Sequence, residues 1–136
     1  MATYNKFNQT VEDIANGVYN CATDQFTVAL TVGAPVATNS VLADLTQIAY
    51  TNLSARDLTT SSSGQTSGTF TQLFADLVLT ASGGPVAAFQ YITIYNNTPT
   101  SPLDPLLCFY DFGSSLVLAD GETLTIDFTT SSFTLA

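Results

Sequence analysis

Histidine and tryptophan are both missing from this 136-residue sequence, and Lys6 and Arg56 are its only cations. Without imidazole there is no Ser-His or Cys-His nucleophile and no base that titrates near neutral pH. A single lysine close to the N-terminus is a poor Schiff-base nucleophile. Two cations cannot neutralise a row of phosphates, which requires clustered Lys and Arg, so direct nucleic-acid binding is excluded. A membrane-surface role fails on the same ground. No apolar run approaches the ~20 residues needed to cross a bilayer. The first six residues, MATYNK, place no apolar stretch behind a basic start, so no signal peptide is read there. Synthesis in a cytoplasm without the usual export signal is the expectation.

What is present is acidic and polar. Eleven carboxylates give a net charge of −9, yet charged residues make up only 10% of the chain, against about a quarter in ordinary domains. Thr, Ser, Asn and Gln take their place, a surface of hydroxyls and amides that favours strands and turns. Ion pairs cannot be a main source of stability with so few cations, and most carboxylates must be solvated, metal-bound or turned toward a basic partner. The length fits one domain, which buries roughly two thirds of its extended surface on folding. Cys21 and Cys108 are far apart and fit no metal spacing. Cys108 lies in the run LLCFY, where a buried, reduced thiol is favoured over a disulfide.

Phe7, Val11, Ile14 and Val18 recur at helical spacing, which predicts a helix over about residues 4–20 with Glu12 and Asp13 on its solvated face. From Phe26 the period changes to two: Phe26, Val28, Leu30 and Val32 alternate with threonines. Residues 36–55 read as an irregular arm or short helical turn followed by a weak strand. Residues 61–68 (SSSGQTSG) read as an exposed, flexible loop. A long strand is predicted over residues 72–79, followed by runs at 89–95, 106–112 and 123–128. Asp120-Gly121 is a favoured hairpin dipeptide. Many short strands separated by Gly, Pro and Asn turns predict a mainly β domain. The expected form is an antiparallel β-sandwich or jelly-roll-like barrel with one short N-terminal helix.

A pair of carboxylates is the one acid–base device left, with Asp76, Asp104, Asp111, Asp120, Glu122 and Asp127 as candidates. Most fall where Asp serves turn chemistry instead, so no catalytic residues are assigned and the chain reads as no enzyme. Asp120 and Glu122 could offer hard oxygens to calcium, but no EF-hand-type loop is present and an ordinary turn is favoured; no metal or cofactor is expected. Among the aromatics, Phe89, Phe109 and Phe112 suit a core. Tyr91 and Tyr95, on one side of their strand, suit a partner-binding stripe as well as a core.

Residues 91–99 (YITIYNNTP), 110–115 (YDFGSS) and 120–128 (DGETLTIDF) together resemble small virion structural proteins of tailed bacteriophages. Residues 26–31 (FTVALT), 34–39 (APVATN) and 67–70 (SGTF) fit the same likeness, which covers most of the chain outside the serine-rich loop. Within that class the resemblance implies a capsid cement, or decoration, protein. Such a protein binds the outer face of the shell, as a trimer, and holds neighbouring copies of the major capsid protein together. An acidic domain that packaged DNA would repel suits that location. A small domain reaches the ~1,000 Å² of a specific interface only with an added arm; residues 36–58 and the termini are the candidates for it, and the contact residues expected are Val41, Leu42, Leu45, Tyr91 and Tyr95. The competing expectation is a tail-associated or fibre-tip protein that binds a host surface glycan.

Crowded, unpaired carboxylates repel one another, and salt screens that repulsion. The melting temperature of the isolated domain is therefore expected to rise modestly with sodium chloride. A thermal-unfolding series across salt checks it, and a falling value would contradict it.

Overall fold

The computed structural model describes residues 3–128 and 132–136. In chain order its elements are β1 (Thr3–Lys6), α1 (Asn8–Ala15), β2 (Phe26–Thr31), β3 (Thr60–Thr66), β4 (Thr69–Phe74), β5 (Leu77–Thr80), β6 (Phe89–Asn96), β7 (Leu106–Leu116), β8 (Thr123–Ile126) and β9 (Phe133–Leu135). The chain is mainly β, and among the described residues its strands pair antiparallel, in a sandwich-like arrangement with one short helix. One layer is a four-stranded sheet in the order β1-β7-β6-β2; the other is split into β3-β4-β9 and β5-β8.

The β-branched and aromatic content of β6 and β2 explains why they sit at the centre. Leu30 pairs with Ile92 and Val28 with Ile94, so these four side chains share one face, and all are buried in the main core. Across from them lie Phe74, Leu79, Phe128 and Phe133 from the split layer. The Phe26 and Phe74 rings meet at 5.2 Å, and Phe128 meets Phe74 edge-on at 5.6 Å, within the range where aromatic pairs add to area burial. The opposite face of the large sheet is covered too. Ala29, Tyr95 and Leu106 pack there with Phe7, against half-buried Leu42, Leu45 and Phe109. Being covered on both faces, β2 buries even its threonines: Thr27 donates to Asp57 Oδ1 at 2.8 Å and Thr31 to the Gly33 carbonyl at 2.8 Å.

Several local expectations give way to tertiary structure. The predicted helix over residues 4–20 is shorter: residues 3–6 form the edge strand β1, with Tyr4 opposite Tyr110 and Lys6 opposite Cys108. In α1 the inward positions are polar. Val11 is exposed while Thr10 and Asp13 are buried, because Thr10 Oγ1 donates to the Leu106 carbonyl at 2.7 Å and satisfies a group inside the sandwich. Asp13, expected in solvent, instead accepts from Gln9 Nε2 at 3.2 Å. The long strand expected over residues 72–79 breaks at Ala75-Asp76, where the chain passes from one small sheet to the other and Asp76 Oδ1 accepts from the Phe128 amide at 2.7 Å. The serine-rich loop is the strand β3, joined to β4 by a two-residue turn with Ser67 and Gly68 at positive φ (51° and 84°), the mirror-image geometry that tight hairpins prefer. Asp120-Gly121 does turn the chain, with the Glu122 amide on the Ala119 carbonyl at 2.9 Å. It makes no hairpin, because β7 pairs with β6 and β8 with β5.

The irregular arm is irregular but bound down. Val41 bridges Pro105, and the Leu42 amide donates to the Asp104 carbonyl at 2.9 Å. Further on, the chain runs along the outer edge of β2: the Ile48 amide donates to Leu30, the Leu58 amide to Phe26, and the Val28 amide to Arg56. Arg56 Nη1 donates to the Val28 carbonyl, and its guanidinium lies 3.6 Å from the Tyr50 ring centre, a cation–π contact. One of the molecule's two cations thus closes a sheet edge.

Phe74 touches both Phe26 and Phe128 and is 1% exposed. Phe74→Ala is expected to destabilise the domain by about 3–5 kcal/mol in urea unfolding. Val78→Ala, at a side chain open to solvent, should stay within about 0.5 kcal/mol.

Candidate functional site

The six candidate carboxylates are dispersed and mostly engaged with amides. Asp76 accepts from Phe128 N, Asp120 from Gly83 N at 2.9 Å and Glu122 from Ala119 N at 2.8 Å. Asp111 accepts from Gly113 N at 2.7 Å and from Gln90 Nε2 at 3.0 Å. Asp104 holds a left-handed backbone position with φ 51°, and Asp127 is exposed beyond the end of β8. Asp120 and Glu122 thus stabilise separate turns of the backbone. Among the described residues no group of three or more His, Cys, Asp or Glu side chains could hold a metal ion.

Of the residues expected to contact a partner, Tyr95 is buried and the other four are half-buried. Val41, Leu42 and Leu45 are half-buried, and the two leucines pack onto Phe7, Ala29, Tyr95 and Leu106. Tyr95 belongs to that same cluster and is 6% exposed, so its ring presents no platform to a ligand. The cause is the arm itself, which lies over that face of the sheet. Tyr91 is half-buried, and its hydroxyl accepts from Gln90 Nε2 at 3.3 Å. The pair therefore forms no exposed stripe.

Among the described residues, a concavity lies beside the end of α1, where no candidate residue was expected apart from the C-terminus. The end of α1 and the loop after it form one wall of an open groove, with Ile14, Tyr19 and Cys21; Phe70 of β4 and Phe133 and Leu135 of β9 form the other. Phe70 stands opposite Leu135 in the sheet, so the two share one face, and the Phe70 and Phe133 rings meet at 5.8 Å. Here the small sheet extends past the core it covers. The groove encloses about 510 Å³, inside the ~300–1,000 Å³ common for ligand sites. Tyr19 is a fixed wall: its hydroxyl donates to the Leu106 carbonyl at 2.8 Å and its ring stacks on Phe26 at 6.1 Å. Periodicity had marked Ile14 for a core face; nothing in the sequence brings the helix end and the C-terminal strand together.

The titratable groups in the walls of this groove are held in their protonated forms. Burial, reinforced by the nearby Asp24 carboxylate, pushes the Cys21 thiol up to about 11, so little thiolate exists at neutral pH and the thiol is a weak nucleophile. Burial also raises the Tyr19 hydroxyl, with Asp13 and Asp24 adding to the effect. Cys108, fully enclosed beneath Tyr110, is pushed up to about 12 by burial. The groove is thus apolar, with an acidic neighbour in Asp24 and no cation among its lining residues. It suits an apolar side chain flanked by positive charge. Comparisons with family models, with curated proteins and with solved structures gave no match.

The raised thiols and the raised hydroxyls of Tyr4, Tyr19 and Tyr110 hold their protons to higher pH in the folded state than in the unfolded one. The stability this provides is complete below the ordinary thiol value of 9.0 and is lost as pH climbs toward 12. The urea midpoint is expected to fall steadily over that window. In native protein near pH 8 a thiol reagent should label Cys21 slowly and Cys108 only on unfolding.

Proposed function

We propose that this chain is a cement protein of a tailed-bacteriophage capsid, which binds the outer face of the shell and ties neighbouring copies of the major capsid protein together. The observation that carries the reading is the apolar groove between α1 and β9, a built binding surface with an acidic neighbour and no reactive nucleophile in its walls. The likeness of residues 91–99, 110–115 and 120–128 to virion structural proteins points the same way. A net charge of −9 keeps such a protein off packaged DNA and favours a partner that presents Lys or Arg. Since the arm over residues 36–58 is bound to its own sheet, contact with the shell falls to the groove and the exposed apolar side chains near it, Leu135 first among them. One groove covers less than the ~1,000 Å² of a specific interface. Several copies acting on one lattice supply the remainder. The competing tail-tip reading, with its glycan platform on Tyr91 and Tyr95, loses one of its two rings to the core.

Quantitative gel analysis of purified particles tests this directly. Copies in shell-wide proportion to the major capsid protein are expected, and a handful per particle would overturn the proposal. Leu135→Asp, at a half-exposed position that costs the fold little, should reduce particle occupancy about tenfold or more, equivalent to ~1.4 kcal/mol. Val78→Asp should leave occupancy unchanged.

A further inference from the structure

Sheet edges expose unpaired amides and carbonyls, and natural domains guard them with charge, proline, brevity or a covering segment. Among the described residues five of the six edges are guarded; β5 is four residues long, and the Ser54 amide donates to its Thr80 carbonyl at 3.0 Å. The edge of β2 is covered by residues 47–58, with bridges from Thr27 to Asp57 and from Thr31 to Gln47. β1 is four residues long and carries Lys6. β8 is four residues long, between Glu122 and Asp127. β9 has three residues. The exception is β3. It is a seven-residue edge strand in the order β3-β4-β9, regular from Ser62 to Thr66 beyond a register shift between Thr60 and Ser62; most of its side chains are exposed, and no strand or bridge meets its outer side among the described residues. Between Asp57 and Asp76 the sequence has no charged residue and no proline.

We propose that β3 is a self-association edge, on which a second copy of this chain docks its own β3 antiparallel about a two-fold axis. The hairpin fixes which groups are on offer. In a two-residue turn the flanking pair, here Thr66 and Thr69, exchanges both hydrogen bonds, and bonded pairs then alternate along the ladder. Gly64 and Ser62 therefore bond to β4, while the amides and carbonyls of Ser63 and Gln65 point outward. About an axis beside Ser63, that residue meets Ser63 of the second copy and both bonds form between identical groups.

Charge selects the occupant. Two molecules of charge −9 repel each other, and an antiparallel strand pair about a two-fold sets each side chain against a residue of its own strand. A carboxylate on the axis would meet its own copy, and one elsewhere on β3 would add like charge to both sides of the contact. The strand has none, and Asp57 and Asp76 sit at the base of the hairpin. A strand shaped for a basic partner segment would carry carboxylates to receive it. Screening then gives a signature: this contact strengthens as salt is raised, whereas one held by ion pairs weakens.

Sedimentation equilibrium of the full chain, at about 100 µM because a strand pair buries less than a standard interface, should show a dimer whose fraction grows from low to high sodium chloride. Ser63→Pro removes an outward amide that β4 does not use. It should keep the native circular dichroism and weaken the dimer about tenfold or more. Ser63→Cys in a Cys21→Ser background should oxidise to a covalent dimer, since directly bonded antiparallel pairs hold their Cα atoms ~5.5 Å apart, within disulfide reach. Ala75→Cys, exposed at the hairpin base, should not. A chain that stays monomeric in high salt, a dimer indifferent to Ser63→Pro, or equal cross-linking by the two cysteines would overturn the proposal. Since Ser63 also lines the groove, the comparison with particles uses Gln65→Pro, at the other outward-facing position: a monomer whose Gln65→Pro variant no longer binds particles would overturn the proposal too, because the edge would then serve the shell protein.

Discussion

A carboxylate without a cation must find water or a backbone amide, and this molecule has eleven carboxylates against two cations, one of them held on the Val28 carbonyl. The amide is the recurrent answer. Asp44 accepts from the Ser40 and Val41 amides, which hold its carboxyl below the usual range; Asp24 accepts from Asn20 N at 2.7 Å. Where the amide is distant in sequence, the same bond joins parts of the fold: Asp76 ties the crossover after β4 to Phe128, and Asp120 ties the turn before β8 to Gly83. Hydrogen bonds to charged groups are stronger than neutral ones, ~1.5–3 kcal/mol each where partly buried. A chain short of ion pairs thus recovers order from its excess charge, with most of those carboxylates on loops and turns and Glu12, Asp13 and Asp111 within helix or strand.

The same shortage shapes the edges. Lysine is the usual guard of an exposed strand, and here it serves one strand, β1. The long edge of β2 is closed by backbone instead: residues 47–58 run beside it, with Tyr50 accepting from the Leu30 amide at 3.0 Å and Arg56 stacked on Tyr50. That covering costs the domain its arm. A stretch that in sequence looks free to reach a neighbour is consumed in finishing the sheet, and reach passes to what remains open, the groove beside β9 and the edge of β3.

Strands with clean alternation were legible because one principle governs them at every level. In residues 89–95, 106–112 and 123–128, β-branched and aromatic residues meet a pleated, half-buried surface, and each region forms a strand. The failures share a cause. Period-based reading sends polar side chains outward, yet Thr10, Asp13, Thr27 and Gln72 are buried, because carbonyls and side chains distant in sequence receive several of them. Gln72 Nε2, for example, donates to Thr60 Oγ1 at 3.0 Å. The serine-rich run was read as a loop from its weak strand propensity, but pairing with β4 and the Ser67-Gly68 turn make it a strand whose side chains need bury nothing. The groove was invisible for a different reason. Ile14, Tyr19, Phe70 and Leu135 each look like ordinary core or surface residues, and only the fold places them around one opening.

Weak contacts matter in a molecule of this kind. The groove with its acidic neighbour and the uncharged edge of β3 are both small surfaces. On a repeating surface the arithmetic changes, because a copy held at one point meets its second contact at a high effective concentration and the two affinities compound. Such a surface also sets a limit on charge: copies packed side by side at −9 each repel unless their facing strips are neutral. Placing most carboxylates on loops and turns while leaving β3 uncharged satisfies that limit. It lets one small domain be acidic toward its surroundings and neutral toward its own kind.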